Sequence, residues 1–382
     1  RLVLLITAAS LCVSIQGGLY FGVLSAMQRL DLVAVADIVF ELMRAALVVL
    51  VLSAGGGLLG LALIGLALGV LRFWFVQSRA ASVYPELGIR LALPAAADVR
   101  MILSVSAYST LIYTSLTVVA QAKTLIIGAT LPMTMVAFYA IGTTLPGYAN
   151  ALNRPIAQTV HPRASRCDAI GDIDGLRRLV LGTGRYSALI LGPVALTFLL
   201  RGESFIGIWM GREFREMSGQ VLSVLALAML FTAPRHVVQA AFVGSGRHKA
   251  LAPWYILEAA TVLALSLILI PRFGIVGAAF ASAVPSVLMT CLVMPALCGK
   301  LMDMPALSMA WSLWLRPLLA MLPFAVVTAY ADISWPASDY LGFFSQVALC
   351  LPLAAAGAWL LALQAEERLQ LLELLRVRLG RG

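Results

Sequence analysis

Charged side chains are scarce in this chain of 382 residues. Asp, Glu, Lys and Arg together make up 12% of the sequence, whereas apolar residues make up 61% and the mean hydropathy is +0.96. Ordinary soluble domains carry about 25% charged residues. Because a soluble protein must cover its exterior with polar groups, this composition excludes a soluble globular domain. It indicates a chain that is solvated by a lipid bilayer.

Cysteine, histidine and known catalytic motifs are also sparse. The five cysteines form no CxxC pair and the three histidines form no cluster, so the sequence indicates neither a disulfide framework nor a metal site. It contains no GxxxxGK[ST], GxSxG or HExxH motif and no large loop with paired carboxylates. We therefore expect no catalytic residue, no metal and no cofactor, and a protein that is not an enzyme.

The sequence is made up largely of long apolar runs. Each run is long enough to cross a hydrocarbon core about 30 Å thick as a helix, the conformation that satisfies the backbone internally. The runs rich in Leu, Ala and Val cover residues 3–27, 34–53, 57–75, 101–121, 131–151, 182–200, 220–243, 251–271, 274–297, 307–329 and 341–363. The sequence therefore predicts an all-α integral membrane protein.

Basic residues mark one side of the predicted membrane. Most of the 27 Lys and Arg residues lie in alternate connections between the runs, above all in 76–100 and 152–181, or in the tail 364–382. The positive-inside rule assigns these segments, and hence the carboxyl terminus, to the cytoplasm. Topology thus accounts for the net charge of +9, and we expect no nucleic-acid partner. We expect the connections to be loops, with His161 and His248 solvated on this side and Arg201 in an outer loop.

An internal repeat relates two segments of the chain, 20–70 and 237–288. The matched positions are Arg29 with Arg247, Glu41 with Glu258, Gly57 with Gly274, and Gly60 with Gly277. The Glu-to-Gly spacing is 19 residues in both copies, from Glu41 to Gly60 and from Glu258 to Gly277. Both copies place their Arg-bearing loop on the same side, which predicts two pseudo-symmetric helix bundles related by an axis along the membrane normal. Repeats of this kind are typical of secondary transporters.

Short motifs in both copies resemble a known family. They are Gly22-Val23-Leu24, Met27 to Leu32, Gly57 to Ala62, Trp209-Met210-Gly211, Val243 to Arg247, and Gly274 to Ala279. These stretches are similar to polysaccharide flippases of the O-antigen (Wzx-like) type. That family belongs to the superfamily that also contains multidrug and toxic-compound extrusion (MATE) antiporters and the lipid II flippase.

The resemblance implies a MATE-like arrangement of two bundles followed by two further helices. Family members usually have fourteen spans, so eleven spans and a first residue other than Met lead us to expect that the first three spans are missing. The expected divisions are 1–75 for the rest of the first bundle, 76–100 for a cytoplasmic linker, 101–298 for a six-span second bundle, 299–363 for two extra spans, and 364–382 for an amphipathic cytoplasmic tail.

The resemblance also implies a function in surface polysaccharide biosynthesis at the bacterial inner membrane. The expected substrate is an undecaprenyl-pyrophosphate-linked oligosaccharide, moved from the cytoplasmic to the periplasmic leaflet by alternating access. The expected partners are this lipid-linked oligosaccharide, the bilayer, and the polysaccharide polymerase and ligase machinery, with the protein acting as a monomer. Two alternatives stay open: a multidrug or metabolite cation antiporter of the same fold and, more remotely, a membrane glycosyltransferase or ligase.

Charged residues inside the apolar runs are the candidate site residues, because burying charge in a membrane is costly and usually serves a function. The candidates for lining a substrate cavity are Arg44, Lys123, Arg185, Arg235, His236 and Arg316. The alternative role for each is snorkelling to the headgroups or local ion pairing. Arg44, for example, follows Asp37 and Glu41 on one helix face, which predicts partial neutralisation within that face.

Overall fold

In a computed structural model, the chain is described over residues 2–27, 29–85, 95–363 and 367–368. Across these ranges it is built of helices and contains no β-strand. The α-helices are α1 (Leu2–Ala26), α2 (Leu30–Ser53), α3 (Gly57–Val83), α4 (Ala96–Thr130), α5 (Met133–Ala151), α6 (Asn153–Ala169), α7 (Ile173–Trp209), α8 (Arg215–Thr232), α9 (Arg235–Gly244), α10 (Ala252–Leu288), α11 (Met294–Met302), α12 (Ala306–Met309), α13 (Arg316–Ser334) and α14 (Tyr340–Gly357). The prediction of an all-α membrane protein is confirmed.

Within the described ranges, eight helical stretches are long and apolar enough to cross a membrane. The difference from the eleven predicted runs has three causes. The stretch His248–Lys300 is continuous over 53 residues but bends at Gly274, and therefore contains two of the runs. Helix α2 is apolar on average but carries four charged residues, Asp31, Asp37, Glu41 and Arg44. Helix α5 is short, and its Thr, Gly and Pro residues lower its hydropathy.

The chain divides into two compact units, Arg1–Ala95 and Ala96–Gly382. In the first unit, α1, α2 and α3 pack around a small core that contains Tyr20, Leu24, Val33, Ala36, Val76 and Ala80. In the second unit, a larger core joins α4, α6, α7, α9 and α10 to the segments that follow. Helices α3 and α4 are longer than their apolar runs: α3 continues through polar residues such as Ser78 and Arg79, and α4 continues to Thr130.

The predicted repeat recurs in local backbone geometry. Gly57 and Gly274 both have a positive φ, +54° and +61°, a conformation that glycine adopts without steric cost. A Cβ atom added to Gly60 would overlap the side chain of Val51, and one added to Gly277 would overlap the carbonyl oxygen of Leu269. In each copy, then, one glycine turns the chain and a second lets the next helix pack closely against the preceding one.

The Arg positions of the repeat match as well. The Arg29 amide donates to the Leu24 carbonyl (2.9 Å), and the Arg247 amide donates to the Phe242 carbonyl (2.8 Å). In both cases the bond spans five residues and closes the last turn of a helix, α1 or α9. The two copies thus end their first helix in the same way.

The connection 152–181 is not the loop that the sequence predicts, so this prediction is wrong. Most of it is helical, as α6 and the first turns of α7. The Asp172 carboxylate caps α7 by accepting a hydrogen bond from the Gly175 amide (2.7 Å). Helix α6 escaped prediction because its exposed face is polar and its sequence includes Pro155 and Pro162.

In the described part of the second unit, three π-helical turns interrupt the later helices, at Met289–Val293, Ala310–Leu315 and Ala358–Ala362. Such turns widen a helix locally and carry one more residue per turn than an α-helix. The second of them points Trp314 inward, where its indole Nε1 donates to the Phe231 carbonyl (2.7 Å). This bond attaches the start of α13 to α8.

Candidate functional site

A polar cavity of about 480 Å³ lies within the second unit, between α4, α5, α8 and α10. It is lined by Ala120, Gln121, Lys123, Thr124, Tyr139, Thr143, Pro146, Gly147, Asn150, Leu225, Ala228, Met229, Thr232, Ser282, Ala283 and Ser286. Gln121 and Gly147 are exposed, so the cavity opens at the surface of this unit. Its volume lies in the range of small-molecule sites, about 300–1,000 Å³.

Helical periodicity brings these polar groups together. Thr143, Gly147 and Asn150 recur at spacings of four and three residues on α5, and Ser282 and Ser286 lie one turn apart on α10. The Thr143 hydroxyl donates to the Tyr139 and Ala140 carbonyls of its own helix (3.1 and 3.0 Å), so its proton is used within the helix and its lone pairs remain available as acceptors. The lining is therefore rich in neutral hydrogen-bonding groups, which are the groups that suit sugar hydroxyls.

Lys123 is the charged residue in this lining. Its side chain is buried, with 6% of the residue exposed, and its ammonium donates to the carbonyl of Val119 one turn earlier in α4. Nothing in the described chain pairs it directly with a carboxylate. A lysine placed in this way retains donors for a further acceptor, so the cavity can hold an anionic group beside neutral polar ones.

A buried ion pair lies beside the cavity. Arg235, the first residue of α9, contacts Glu258 of α10 with both Nη atoms, at 2.7 and 2.5 Å, and its guanidinium lies 4.8 Å from the Tyr255 ring centre. The cavity residue Ser286 donates to the same Glu258 carboxylate (2.8 Å). Glu258 therefore links Arg235 to the cavity wall, although Arg235 is not itself part of the lining.

The other four candidates lie elsewhere. His236 follows Arg235 and is half-buried, and Arg316 is half-buried at the start of α13. Arg185 is 1% exposed in α7 and pairs with Glu367, leaving its Nε and Nη1 without a hydrogen-bond partner. Arg44 belongs to the first unit and lies 3.6 Å from the Glu41 carboxylate, with both side chains exposed.

The face of α2 that contains Arg44 is neutralised in two ways. Glu41 pairs with Arg44 within the helix, as its spacing predicts, whereas Asp37 pairs with Arg72 of α3 at 2.5 Å. A second cavity, of about 220 Å³, lies in the first unit and is lined by Arg72, by apolar side chains, and by small residues that include Ser14, Gly17, Gly18 and Gly69. It is mainly apolar, which leaves the cavity of the second unit as the better candidate for a polar substrate.

Sequence reasoning missed three of the buried polar residues. It places Arg201 in an outer loop, but α7 continues past this residue to Trp209, and the Arg201 side chain is fully buried. His248 is expected to be solvated but is 6% exposed and packs edge-on against the Tyr108 ring. From the sequence, Glu258 is identified only as a position of the repeat. An Arg and a Glu in neighbouring apolar runs, as Arg235 and Glu258 are, could have predicted a buried ion pair.

Arg201 lies at the centre of a second polar network. Its Nε lies 3.1 Å from Asp332 of α13, its Nη2 donates to Gln346 of α14, and its guanidinium lies 4.8 Å from the Phe343 ring centre. Gln346 in turn donates to the Trp335 carbonyl (2.9 Å). This network holds α7, α13 and α14 together around a fully buried guanidinium, while Asp332 at its edge keeps 22% of its side chain exposed. None of these residues lines the cavity, and we interpret the network as structural.

Metal binding has no support in the described ranges. No group of three or more His, Cys, Asp and Glu side chains there is placed to hold a metal ion. What the cavity lining offers is hydroxyl and amide groups for hydrogen bonding and the Lys123 ammonium for attraction of an anion.

These features define a multi-pass membrane protein that contains a polar cavity among its helices. The chain belongs to the polysaccharide biosynthesis protein family, whose model matches residues 1–219. This match confirms the resemblance seen in the motifs. It includes the first-copy motifs and Trp209-Met210-Gly211, whereas the second-copy motifs lie beyond it.

A protein of Shigella flexneri with the name "Putative O-antigen transporter" is 27% identical over 153 residues. The aligned region covers 40% of this chain and 36% of that relative, so the chain spans little more than a third of the relative's length. No solved structure matches the chain.

Proposed function

We propose that this protein is a transporter for surface polysaccharide biosynthesis that moves a lipid-linked oligosaccharide across the membrane. The finer form of the proposal is a flippase for undecaprenyl-pyrophosphate-linked oligosaccharide, from the cytoplasmic to the periplasmic leaflet. The observation that carries it is the hydroxyl- and amide-lined cavity with Lys123 in its wall, in a chain of the polysaccharide biosynthesis protein family.

Physical chemistry supports this match of cavity and substrate. The oligosaccharide is the part that cannot cross the hydrocarbon unaided, because its hydroxyl groups would lose their hydrogen bonds there. Thr143, Asn150, Ser282 and Ser286 offer replacement partners, and Lys123 offers a cation for a phosphate or acidic sugar. The polyprenyl chain is apolar and stays in the bilayer.

Alternating access is the mechanism that we infer. The matching geometry of Gly57 with Gly274, and of Arg29 with Arg247, supports two related halves, the usual construction of transporters that expose one site to each side in turn. We further propose an inner-membrane location with a cytoplasmic carboxyl terminus, a monomeric state, and contact with the polymerase and ligase that use the product.

The ion pairing of Glu258 favours transport of a lipid-linked oligosaccharide over cation antiport. A cation antiporter needs a buried carboxylate that is free to bind its ion. Glu258 is buried but is occupied by both Nη atoms of Arg235 and by Ser286. The cation that faces the cavity without a carboxylate contact is Lys123, which suits an anionic substrate.

Complementation tests the proposal. The protein is expressed in cells that lack their own flippase, and restored surface polysaccharide is measured by immunoblot. We expect restoration by the wild type, loss of most of it with Lys123→Gln, and retention with Lys300→Gln, an exposed lysine of α11. If the wild type reaches the membrane but restores none of several glycan types, the proposal is wrong.

A further inference from the structure

Helix α6 differs from its neighbours because it does not have the composition of a membrane span. It follows directly on α5, which ends at Ala151, and only three residues separate the end of α6 from the start of α7. A short polar helix tied in this way to two membrane helices must lie where they leave the bilayer, at the level of the lipid headgroups.

One face of α6 is fixed to the second unit. Asn153, Val160 and Ala164 are fully buried, and the last two pack in the core with residues of α9. The Asn153 amide donates to the Ala233 carbonyl (2.9 Å) and its side-chain oxygen accepts from the Ser187 hydroxyl (2.7 Å). At Gly244 a Cβ atom would overlap the His161 carbonyl, so α9 touches the backbone of α6. The helix therefore cannot rotate to hide its other face.

That other face is basic and unpaired. Arg154, Arg163 and Arg166 are exposed, and in the described part of the chain none of them has an ion-pair partner. Asp168 is the acidic residue of α6, and it is already paired with Arg247 (3.0 Å). Helical spacing places Arg154 and Arg163 on the two flanks of the packed side and Arg166 on the side away from it. We call this exposed set of Arg154, Arg163 and Arg166 the α6 arginine face.

The opposite end of the second unit has a different charge pattern. Helix α7 has 37 residues, so its two ends lie roughly 55 Å apart along its axis. At the far end, the exposed Arg212 and Arg215 alternate with Glu213 and Glu216. The α6 end also has carboxylates, but Asp168 pairs with Arg247 and both Asp174 and Asp303 pair with Arg177, so these acids do not neutralise Arg154, Arg163 or Arg166.

We propose that the α6 arginine face binds the headgroups of anionic phospholipids, such as phosphatidylglycerol. The level of α6 places the guanidinium groups among the phosphates, and arginine pairs with phosphate through two parallel hydrogen bonds. Each basic residue near an anionic membrane surface contributes about 1 kcal/mol, which is about fivefold in affinity. The bound lipid fixes the position of α6 at the membrane surface, independently of any transported substrate.

Native mass spectrometry of the full chain in detergent tests this proposal. Phosphatidylglycerol and phosphatidylcholine are added at equal concentration, and the retained lipid is counted. We expect the wild type to retain phosphatidylglycerol preferentially. We expect the triple variant R154Q/R163Q/R166Q to lose this preference at least fivefold, because each substitution removes a charge and keeps helix propensity. The matched control is R212Q/R215Q/R272Q, three exposed arginines at the other end of the unit, and it should behave as the wild type.

Two further measurements separate lipid binding from a folding defect. The charge-retaining variant R154K/R163K/R166K should keep most of the preference, and circular dichroism should show unchanged helix content in all variants. Equal retention of both lipids by the wild type would overturn the proposal and leave a soluble or protein partner for this face. The proposal also fails if the α6 triple variant keeps its preference, or if the control loses as much as the α6 variant does.

Discussion

Arg235 of α9 and Glu258 of α10 form an ion pair that is buried inside the second unit. Two hydrogen bonds join the Arg235 Nη atoms to the Glu258 carboxylate oxygens, at 2.7 and 2.5 Å. Both charges have left water, so each depends on the other for its stabilisation. Ser286 adds a third hydrogen bond from the wall of the cavity. A substitution of either residue should therefore change both the stability of the protein and the shape of the cavity.

The first prediction concerns this pair. Glu258→Gln leaves the Arg235 charge buried with a neutral partner, and we expect it to lower the free energy of unfolding by about 3–5 kcal/mol. The double variant R235M/E258M removes both charges and should recover most of that loss. Unfolding in mixed detergent micelles, followed by circular dichroism, measures both changes.

Glu41 supplies the matched control for Glu258. It holds the equivalent position in the repeat, but its partner Arg44 is 3.6 Å away and both side chains are exposed. Glu41→Gln should change the free energy of unfolding by about 0.5 kcal/mol or less. Equal effects of the two Glu→Gln variants would show that burial of the pair does not govern its strength.

The second prediction concerns the glycine that follows the bend in α10. Gly277→Ala places a methyl group against the Leu269 carbonyl, and backbone cannot move aside as a side-chain end can. We expect a loss of about 1–3 kcal/mol, as for other overpacked sites, and a lower yield of folded protein in size-exclusion chromatography. Gly65→Ala in α3, where a Cβ meets no atom within 4 Å, should be neutral or slightly stabilising. Similar losses in both variants would contradict the close approach at Gly277.

The third prediction concerns the buried Arg201. Arg201→Met removes the bonds to Asp332 and Gln346 and the contact with Phe343, and should cost about 2–4 kcal/mol. Because the network attaches α14, we expect faster proteolysis in the connection between α13 and α14 than anywhere else. Arg212→Met, an exposed arginine at the same end, serves as control and should leave the proteolysis rate unchanged.

The fourth prediction concerns the proposed orientation. In a cysteine-free background, Ser165→Cys places a thiol on exposed α6, and Glu213→Cys places one at the other end of α7. An impermeant maleimide added to intact cells should label the Glu213 variant only, and should label the Ser165 variant after the membrane is opened. The reverse pattern would place the basic end of the second unit outside.

Composition and spacing were enough to predict the apolar helices and the repeat, although not the polar helix α6. Apolar runs mark where helices cross the bilayer, and Gly57 and Gly274 stand out because each needs a backbone conformation that other residues avoid. These are local properties, and a single sequence contains them.

Pairing across helices could not be predicted in the same way. The charge of Arg201 ends an apolar run, which favours a loop, and its partners Asp332 and Gln346 come more than a hundred residues later. The cavity could not be predicted for the same reason. Its walls come from four helices, and no single polar residue in them indicates a cavity by itself. Glu258 and Arg235 both stand out in the sequence, but only the packing of α9 on α10 shows that they neutralise each other.

The π-helical turn Ala310–Leu315 predicts where homologues of this protein can differ by the deletion of one residue. Because it holds one residue more than an α-helical turn, removing a single residue from it would restore an ordinary α-helical turn and leave the helix on either side nearly in register. The side chains of the turn itself would change direction, and Trp314 would then lose the Phe231 carbonyl. Homologues with a one-residue gap at this place should therefore also lack the tryptophan.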